Sequence, residues 1–287
     1  MNLMQKVLVA LKGFLMGAAN VVPGVSGGTM ALITGIYKEV IEALNSLMEK
    51  ETWQALFKGD FKGFWKQIHG TFLLWLAIGV VLSVFSLAKL MTYVLEHHPV
   101  QTWAFFFGLI VASAILMFKD IKGWGIKEIL FTLGGVALGL LVCNLSPTET
   151  PDNWFFIFLC GAIAVCTMIL PGISGSFILV IMGKYDYIMQ AVADLDWPVL
   201  IVFALGCVVG ILAFAKFLHW LLDRFEKQTM LVLLGFILGS LVKVWPWSNE
   251  SVKALPDPHY GAAALWAVLG VALVLGVEYL AKMKEKS

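Results

Sequence analysis

The feature that most constrains this chain is a short interrupted apolar segment that occurs twice. Residues 21–41, VVPGVSGGTMALITGIYKEVI, align without gaps on residues 169–189, ILPGISGSFILVIMGKYDYIM. Seven of the 21 positions are identical, whereas unrelated apolar segments would share about one or two. The sequence therefore predicts a duplicated structural unit with a Pro-Gly break in each copy.

The composition is that of a protein that lives in a lipid bilayer. Hydrophobic residues make up 60% of 287 positions, charged residues make up 14%, and the mean hydropathy is +0.88. A net charge of +1 without a dense basic patch indicates no nucleic-acid partner. The four cysteines lie in apolar runs without metal-ligand spacing, which favours buried free thiols. We therefore expect a membrane protein with no metal site and no cofactor.

Apolar length and the Pro-Gly breaks predict the membrane segments. Crossing a bilayer takes about 20 apolar residues, and six stretches are long enough. The apolar stretches 4–36 and 152–183 are each divided by a break into arms too short to span, so we expect re-entrant helical hairpins. The expected fold is an all-α polytopic membrane protein. Its predicted transmembrane helices are 71–95, 101–118, 126–145, 198–222, 229–246 and 260–281.

Each half of the chain, 1–150 and 151–287, thus combines one hairpin with three crossings. Because three is odd, the halves must lie in opposite orientations, as in transporters built from inverted repeats. With the N-terminus inside, 15 of the 20 basic residues are cytoplasmic, so both termini are expected there. The same orientation makes residues 38–70 a cytoplasmic linker, whose aromatic and lysine spacing predicts a helix on the inner membrane surface.

The two breaks are expected to form a binding site. An unpaired backbone amide is costly in hydrocarbon, so such a break persists only where protein, a cavity or a ligand satisfies it. Ser26 and Ser174 are placed to cap the following half-helices, whose free amides suit a phosphate group. The alternative is that the small residues only allow close helix packing. The candidate phosphate-binding residues of the motifs are Ser26, Gly27, Gly28, Thr29, Ser174, Gly175 and Ser176.

Charged residues near the membrane add further candidates. Lys89 and Lys216 are equivalent residues within predicted crossings, and Arg224 is the only arginine, placed in a predicted loop. Snorkelling of the lysines and positive-inside anchoring of the arginine explain them without a ligand. The candidates for coupling to a proton or sodium ion are Glu39, Glu42 and Asp186, with solvated hairpin ends as the alternative.

The paired PGVSGG and PGISGS hairpins, followed by GIY and GKY, resemble a bacterial and archaeal family once called domain of unknown function 368 and now associated with PopT-type polyprenyl-phosphate translocases. The resemblance covers nearly the whole chain. In the second copy, Ser176 and Phe177 replace Gly28 and Thr29. The resemblance implies return of undecaprenyl phosphate, the lipid carrier of cell-wall sugars, from the outer to the inner leaflet of the bacterial cytoplasmic membrane. The implied partners are this lipid and the surrounding membrane lipids.

Two other functions are compatible with parts of the sequence. An ion-coupled carrier of a small soluble anion is one, because helix ends recognise phosphate, sulfate and carboxylate alike. A lipid phosphatase is the other, but it needs a compact group of basic residues around the phosphoester. One arginine and five dispersed histidines do not predict such a group. We therefore expect a transporter without catalytic residues.

Overall fold

A computed structural model describes residues 1–21, 26–147, 150–248 and 259–285, with the side chains at 21, 33, 88, 89, 92 and 277–285 excepted. The described residues form helices, turns and loops and contain no strand, so the predicted all-α class is confirmed. The first half holds α1 (Leu3–Val21), α2 (Gly27–Ile33), α3 (Tyr37–Ser46), α4 (Lys50–Phe57), α5 (Phe61–Gln67), α6 (Gly70–His97), α7 (Pro99–Asp120) and α8 (Ile126–Cys143). The second half holds α9 (Trp154–Ile169), α10 (Gly175–Ile181), α11 (Tyr185–Ala193), α12 (Trp197–Val244) and α13 (Tyr260–Glu285).

Four helices of the described residues are long and apolar enough to cross a membrane, namely α6 over Gly70–Leu87, α7, α8 and α12. α12 has 48 residues, and its helical geometry is interrupted at Phe225, with φ −136° and ψ 44°. Its two arms correspond to the separate crossings predicted at 198–222 and 229–246. α13 corresponds to the crossing predicted at 260–281, and its apolar described part is the shorter segment Tyr260–Gly276.

Each predicted hairpin consists of two packed helical arms. α1 packs on α2 in the first hairpin, and α9 packs on α10 in the second. Pro23 and Gly24 of the first break lie outside the described residues. In the second break Gly172 has φ +96°, a left-handed conformation that glycine adopts without strain. Each apolar stretch is therefore divided into two helical arms, of 19 and 7 residues in the first copy and 16 and 7 residues in the second. Their re-entrant path in a membrane stays a prediction.

The linker after the first hairpin forms three short helices rather than one. α4 ends at Phe57 and α5 begins at Phe61, because Gly59 turns the chain with φ +78° and Asp60 caps α5 by accepting a hydrogen bond from the Gly63 amide at 2.8 Å. The rings of Phe57 and Phe61 are 84% and 70% exposed. The predicted helical character is thus present, but the single continuous surface helix was wrong.

The helices form two compact units, and each unit combines segments from both halves of the chain. The hairpin unit consists of residues 1–84 and 145–226, so it contains both hairpins, the start of α6 and the first arm of α12. The crossing unit consists of residues 85–144 and 227–287, so it contains the end of α6, α7, α8, the second arm of α12 and α13. These spatial units do not follow the sequence division at residue 150.

Within the hairpin unit, the same helix contact occurs twice. A Cβ at Gly79 of α6 would lie 1.9 Å from the Ala10 carbonyl oxygen of α1, and a Cβ at Gly206 of α12 would lie 2.0 Å from that of Phe158 in α9. Gly79 and Gly206 are equivalent residues of the duplication, because a second block of the sequence, which also pairs Lys89 with Lys216, repeats at an offset of 127 residues. Ala10 and Phe158 are also equivalent, because each stands at the same distance before its Pro-Gly break. The duplicated glycines therefore allow two matching close contacts between helix backbones.

The crossing unit contains a second pair of matching contacts. A Cβ at Gly108 of α7 would lie 2.0 Å from the Ala267 carbonyl oxygen of α13, and a Cβ at Gly235 of α12 would lie 2.0 Å from that of Thr132 in α8. Gly108 and Gly235 are equivalent as well. In each of these two contacts of the crossing unit, the second predicted crossing of one half packs on the third predicted crossing of the other half. This exchange supports a duplicated architecture, whereas opposite orientation of the halves in a membrane stays a prediction.

Candidate functional site

Ser26 caps α2 and is completely buried in the hairpin unit. Its backbone is extended, with φ −110° and ψ 137°, and its hydroxyl oxygen accepts a hydrogen bond from the Gly28 amide at 3.1 Å. The same hydroxyl donates to the Leu170 carbonyl oxygen at 2.8 Å. The Gly27 amide donates to the Asn20 side-chain oxygen at 2.8 Å. The polar groups at the start of α2 are therefore satisfied within the protein.

The first motif also contacts the second motif directly. The hydroxyl of Thr29 accepts a hydrogen bond from the Gly172 amide at 2.8 Å, and Thr29 is completely buried. A Cβ at Gly28 would lie 2.1 Å from the Ile169 carbonyl oxygen, so only glycine fits at this crossing. The two breaks therefore meet inside the hairpin unit. Their contact brings together the serines that the sequence predicts for one site.

Hydrogen-bond donors remain available at the start of α10 in the second motif. Ser174 caps this helix by accepting a hydrogen bond from the Phe177 amide at 3.3 Å, and its hydroxyl lies 3.2 Å from that of Ser176. The Gly175 and Ser176 amides make no hydrogen bond within the described residues. Ser174 is buried, whereas Ser176 is exposed. Two hydroxyls and two amides are thus grouped at one end of α10, with Ser176 reaching the surface.

The arrangement can bind an oxyanion through neutral donors. Hydroxyls and backbone amides donate short, charge-assisted hydrogen bonds to phosphate oxygens. α10 has only seven residues, so the individual donors, and not a long helix dipole, support this interpretation. Within the described residues no group of three His, Cys, Asp or Glu side chains is arranged to hold a metal ion.

The predicted basic residues are not joined to this group of donors. Lys216 is exposed on α12 and makes no hydrogen bond or ion pair with Ser174 or Ser176. Arg224 is also exposed, and its guanidinium carbon lies 5.8 Å from the centre of the Phe225 ring. Its predicted position in a loop was wrong, because α12 continues through residue 224 to the kink. The Lys89 side chain lies outside the described residues.

Glu39 and Glu42 lie on α3, directly after the first hairpin. Burial raises the pKa of the Glu39 carboxyl above its ordinary value, the charges of His69 and Lys12 oppose this shift, and Glu42 adds to it. Asp186 occupies the first turn of α11 and is exposed, apart from this group. Of the three candidates for ion coupling, Glu39 therefore has the most perturbed environment.

A polar cavity of about 190 Å³ next to Glu42 contains charged residues from both halves of the chain. Lys38 forms an ion pair with Glu226, and His219 Nε2 lies 3.3 Å from an Asp223 carboxylate oxygen. Sequence reasoning missed this cavity. The spacing of His219 and Asp223, four residues apart on one helix, is a local signal for their pairing. The pairing of Lys38 with Glu226 spans 188 residues and has no such signal.

Lys184 is another residue that sequence reasoning missed. It is 4% exposed, and its ammonium group donates to the Thr150 carbonyl oxygen at 2.7 Å and to an Asp152 carboxylate oxygen at 2.6 Å. The Thr150 hydroxyl in turn donates to the Met182 carbonyl oxygen at 2.6 Å. These bonds attach the end of the second hairpin to the segment that precedes α9. Lys184 therefore has structural partners within the protein.

Comparisons with known proteins bear on the function of this site. A family model described as undecaprenyl phosphate translocase-like matches residues 16–259. A polyprenyl-phosphate transporter of Vibrio cholerae serotype O1 is 38% identical over 298 residues, covering 95% of this chain and 96% of that protein. A polyprenyl-phosphate transporter of Staphylococcus aureus is 31% identical over 284 residues, covering 93% of this chain and 92% of that protein. No solved structure matches the chain.

Proposed function

Because this chain belongs to the undecaprenyl phosphate translocase-like family, we propose that it moves undecaprenyl phosphate from the outer to the inner leaflet of the bacterial cytoplasmic membrane. This movement returns the lipid carrier for another round of cell-wall polymer synthesis. The names of the Vibrio cholerae and Staphylococcus aureus relatives, both polyprenyl-phosphate transporters, support a lipid phosphate as the substrate. They also support a transporter rather than an enzyme.

The observation that carries the proposal is the group of hydrogen-bond donors at the start of α10 in the second motif, where two amides make no hydrogen bond within the described residues. The Ser174 and Ser176 hydroxyls and the Gly175 and Ser176 amides bind the phosphate headgroup. Ser26 and Thr29 hold the two breaks together through their hydrogen bonds, so they stabilise the position of this site. Lys216, Arg224 and Lys89 remain candidates for attracting the anion as it approaches. This assignment divides the predicted site residues into a ligand-binding set and a supporting set.

We propose two repeats of opposite orientation, with both termini in the cytoplasm. The supporting observations are the odd number of crossings in each half and the excess of basic residues in the predicted inner segments. The test is labelling of Lys58→Cys and Asp194→Cys in intact cells with a membrane-impermeant thiol reagent. Labelling of residue 194 alone is expected, and equal labelling of both residues would contradict the inverted arrangement.

Coupling to a proton or sodium ion is proposed at Glu39 and Glu42. Both lie on the helix that follows the first hairpin, and burial raises the pKa of the Glu39 carboxyl above its ordinary value. Asp186 is the third candidate. Transport by Glu39→Gln and Glu42→Gln proteins is measured with an imposed pH or sodium gradient, and a response to either gradient that matches the wild type argues against coupling at these residues.

The decisive experiment uses purified protein in liposomes that contain undecaprenyl phosphate. Transport is measured as loss of the lipid phosphate from the outer leaflet, with a headgroup-binding reagent added outside. Protein-dependent movement of the lipid is expected, without release of inorganic phosphate. Uptake of soluble phosphate without movement of the lipid would favour the small-anion carrier, and release of inorganic phosphate would favour a phosphatase.

A further inference from the structure

The crossing unit contains an apolar cavity of about 500 Å³ at the junction of α6, α7 and α13. Its apolar wall consists of Met91 and Val94 from the end of α6, Phe105 and Phe106 from the start of α7, and Trp266 from α13. The rings of Phe105 and Trp266 meet edge to face at 6.4 Å, so aromatic contacts join α7 to α13 in this wall. A volume of this size lies within the usual range of ligand pockets, roughly 300 to 1,000 Å³.

Polar groups line only one edge of the cavity. The Thr102 hydroxyl donates to the His98 carbonyl oxygen at 2.8 Å, so it is occupied within the helix turn. The side chains of His98 and Gln101 make no hydrogen bond within the described residues, and His98 is exposed. The cavity therefore combines an apolar interior with a rim that has two unpaired polar side chains. This lining suits an apolar chain that lies inside the cavity.

Aromatic residues near the helix ends of the crossing unit indicate the depth of the cavity in the membrane. Trp247 packs on Tyr260 at 5.1 Å between ring centres and on Trp245 at 5.3 Å. Tyr93 is exposed at the same end of α6. Tryptophan and tyrosine concentrate where the hydrocarbon meets the headgroups. The cavity thus lies at one membrane interface, and the orientation proposed above makes it the outer one.

We propose that this cavity binds the isoprenoid chain of the polyprenyl phosphate in the outer leaflet. The inference rests on the proposed function, because it assigns a site to the tail of the same substrate. At about 30 Å³ for each water-sized group, 500 Å³ holds about 16 carbon groups, or about three isoprene units. The cavity therefore has room for a segment of one chain. Burial of that segment adds affinity that a phosphate alone does not have.

Filling the cavity tests this assignment. Val94→Phe places a ring in the cavity, whereas Val81→Phe makes the same change on the exposed face of α6, where Val81 is 51% exposed. Binding is measured in lipid nanodiscs for undecaprenyl phosphate and for dimethylallyl phosphate, which has the same headgroup and only five carbons. Val94→Phe is expected to weaken binding of the long lipid about tenfold and to leave the short one unchanged. Val81→Phe is expected to change neither.

The outcomes separate the cavity from the proposed function. If the wild type does not bind undecaprenyl phosphate, the proposed function is wrong. If the wild type binds it and Val94→Phe binds it equally well, the cavity assignment is wrong and the function stands. Equal weakening by Val81→Phe also overturns the cavity assignment.

Photolabelling of the wild type avoids dependence on the folding of a variant. An undecaprenyl phosphate with a diazirine in its first isoprene units is expected to label the peptide 91–106. Excess undecaprenyl phosphate should suppress this labelling. Suppression by phosphatidylglycerol to the same extent, or absence of labelling in this peptide, would overturn the assignment because the occupant would not be the isoprenoid chain.

Discussion

The two Pro-Gly motifs have the same order of elements but use their hydrogen-bonding groups differently. In the first motif the Gly27 amide donates to Asn20, and the Ser26 hydroxyl donates to Leu170. In the second motif Met168 stands at the position of Asn20, so the Gly175 amide has no equivalent acceptor. The two copies of a duplicated motif therefore differ in their hydrogen bonds. The groups of the first copy are bonded within the protein, whereas the donors of the second copy are the ones proposed above to bind a ligand.

The largest expected effect comes from removing both hydroxyls of the second motif. Ser174→Ala combined with Ser176→Ala is expected to weaken binding of undecaprenyl phosphate about 100-fold, because each hydrogen bond to a charged group contributes about 1.5 to 3 kcal/mol. Binding is measured in nanodiscs. The matched control is Ser113→Ala combined with Ser240→Ala, a second duplicated pair whose hydroxyls donate to Leu109 and Ile237 carbonyls. Near-normal binding by the first double variant, or an equal loss in the control, would reject the site.

Ser26→Ala tests the structural role of the first motif. This change leaves the part-buried Leu170 carbonyl and the buried Gly28 amide without their partner, so we expect the free energy of unfolding to fall by about 2 kcal/mol. Binding by the folded protein should change little. Thermal unfolding in detergent measures the loss of stability. The comparison fails if Ser26→Ala weakens lipid binding as strongly as the double substitution and leaves the unfolding temperature unchanged.

A substitution that makes the second motif more like the first tests the role of the Gly175 amide. Met168→Asn places an amide oxygen at the position of Asn20 in the first motif. The Met168 side chain lies next to Gly175, because a Cβ added at Gly175 would lie 3.2 Å from Met168 Cγ. An acceptor there competes with the phosphate for the Gly175 amide, so binding is expected to weaken about tenfold, the equivalent of one hydrogen bond. Met168→Leu is the control for the loss of the thioether. Unchanged binding in Met168→Asn would show that this amide does not contact the ligand.

The sequence predicted the elements of both hairpins but could not predict this difference. The apolar arms and the Pro-Gly breaks are local signals, and they determine where a helix must stop. The bond between Thr29 and Gly172 joins residues 143 positions apart, so nothing in the neighbourhood of either residue indicates it. Asn20 could have been recognised as a polar residue in an apolar arm, shortly before the break. Its partner, the Gly27 amide, becomes evident only from the packed structure.

The difference between local signals and contacts of distant residues also explains which features of the crossings could be predicted. Their lengths follow from hydropathy, whereas the kink at Phe225 has no glycine or proline nearby to indicate it. The duplicated glycines Gly108 and Gly235 are local signals for close helix packing in the crossing unit. They did not predict that the crossing unit pairs α7 with α13 and α8 with α12, because a small residue indicates close packing without naming its partner.

The smallest expected effect concerns the helices that follow the two motifs. α3 carries Glu39 where α11 carries Tyr187, so only the first copy has a carboxyl at this position. Burial raises the pKa of Glu39 in the folded protein above its ordinary value of 4.5, so the folded state binds more protons than the unfolded state in this range. Stability from this group is complete below pH 4.5 and is lost as the pH rises through the raised pKa. Glu39→Gln is therefore expected to flatten the decline of the unfolding temperature with pH just above 4.5. Asp186→Asn leaves the Glu39 carboxyl in place and should keep the wild-type slope. An unchanged slope in Glu39→Gln would assign the pH dependence to other groups and would remove the titratable difference between the two helices.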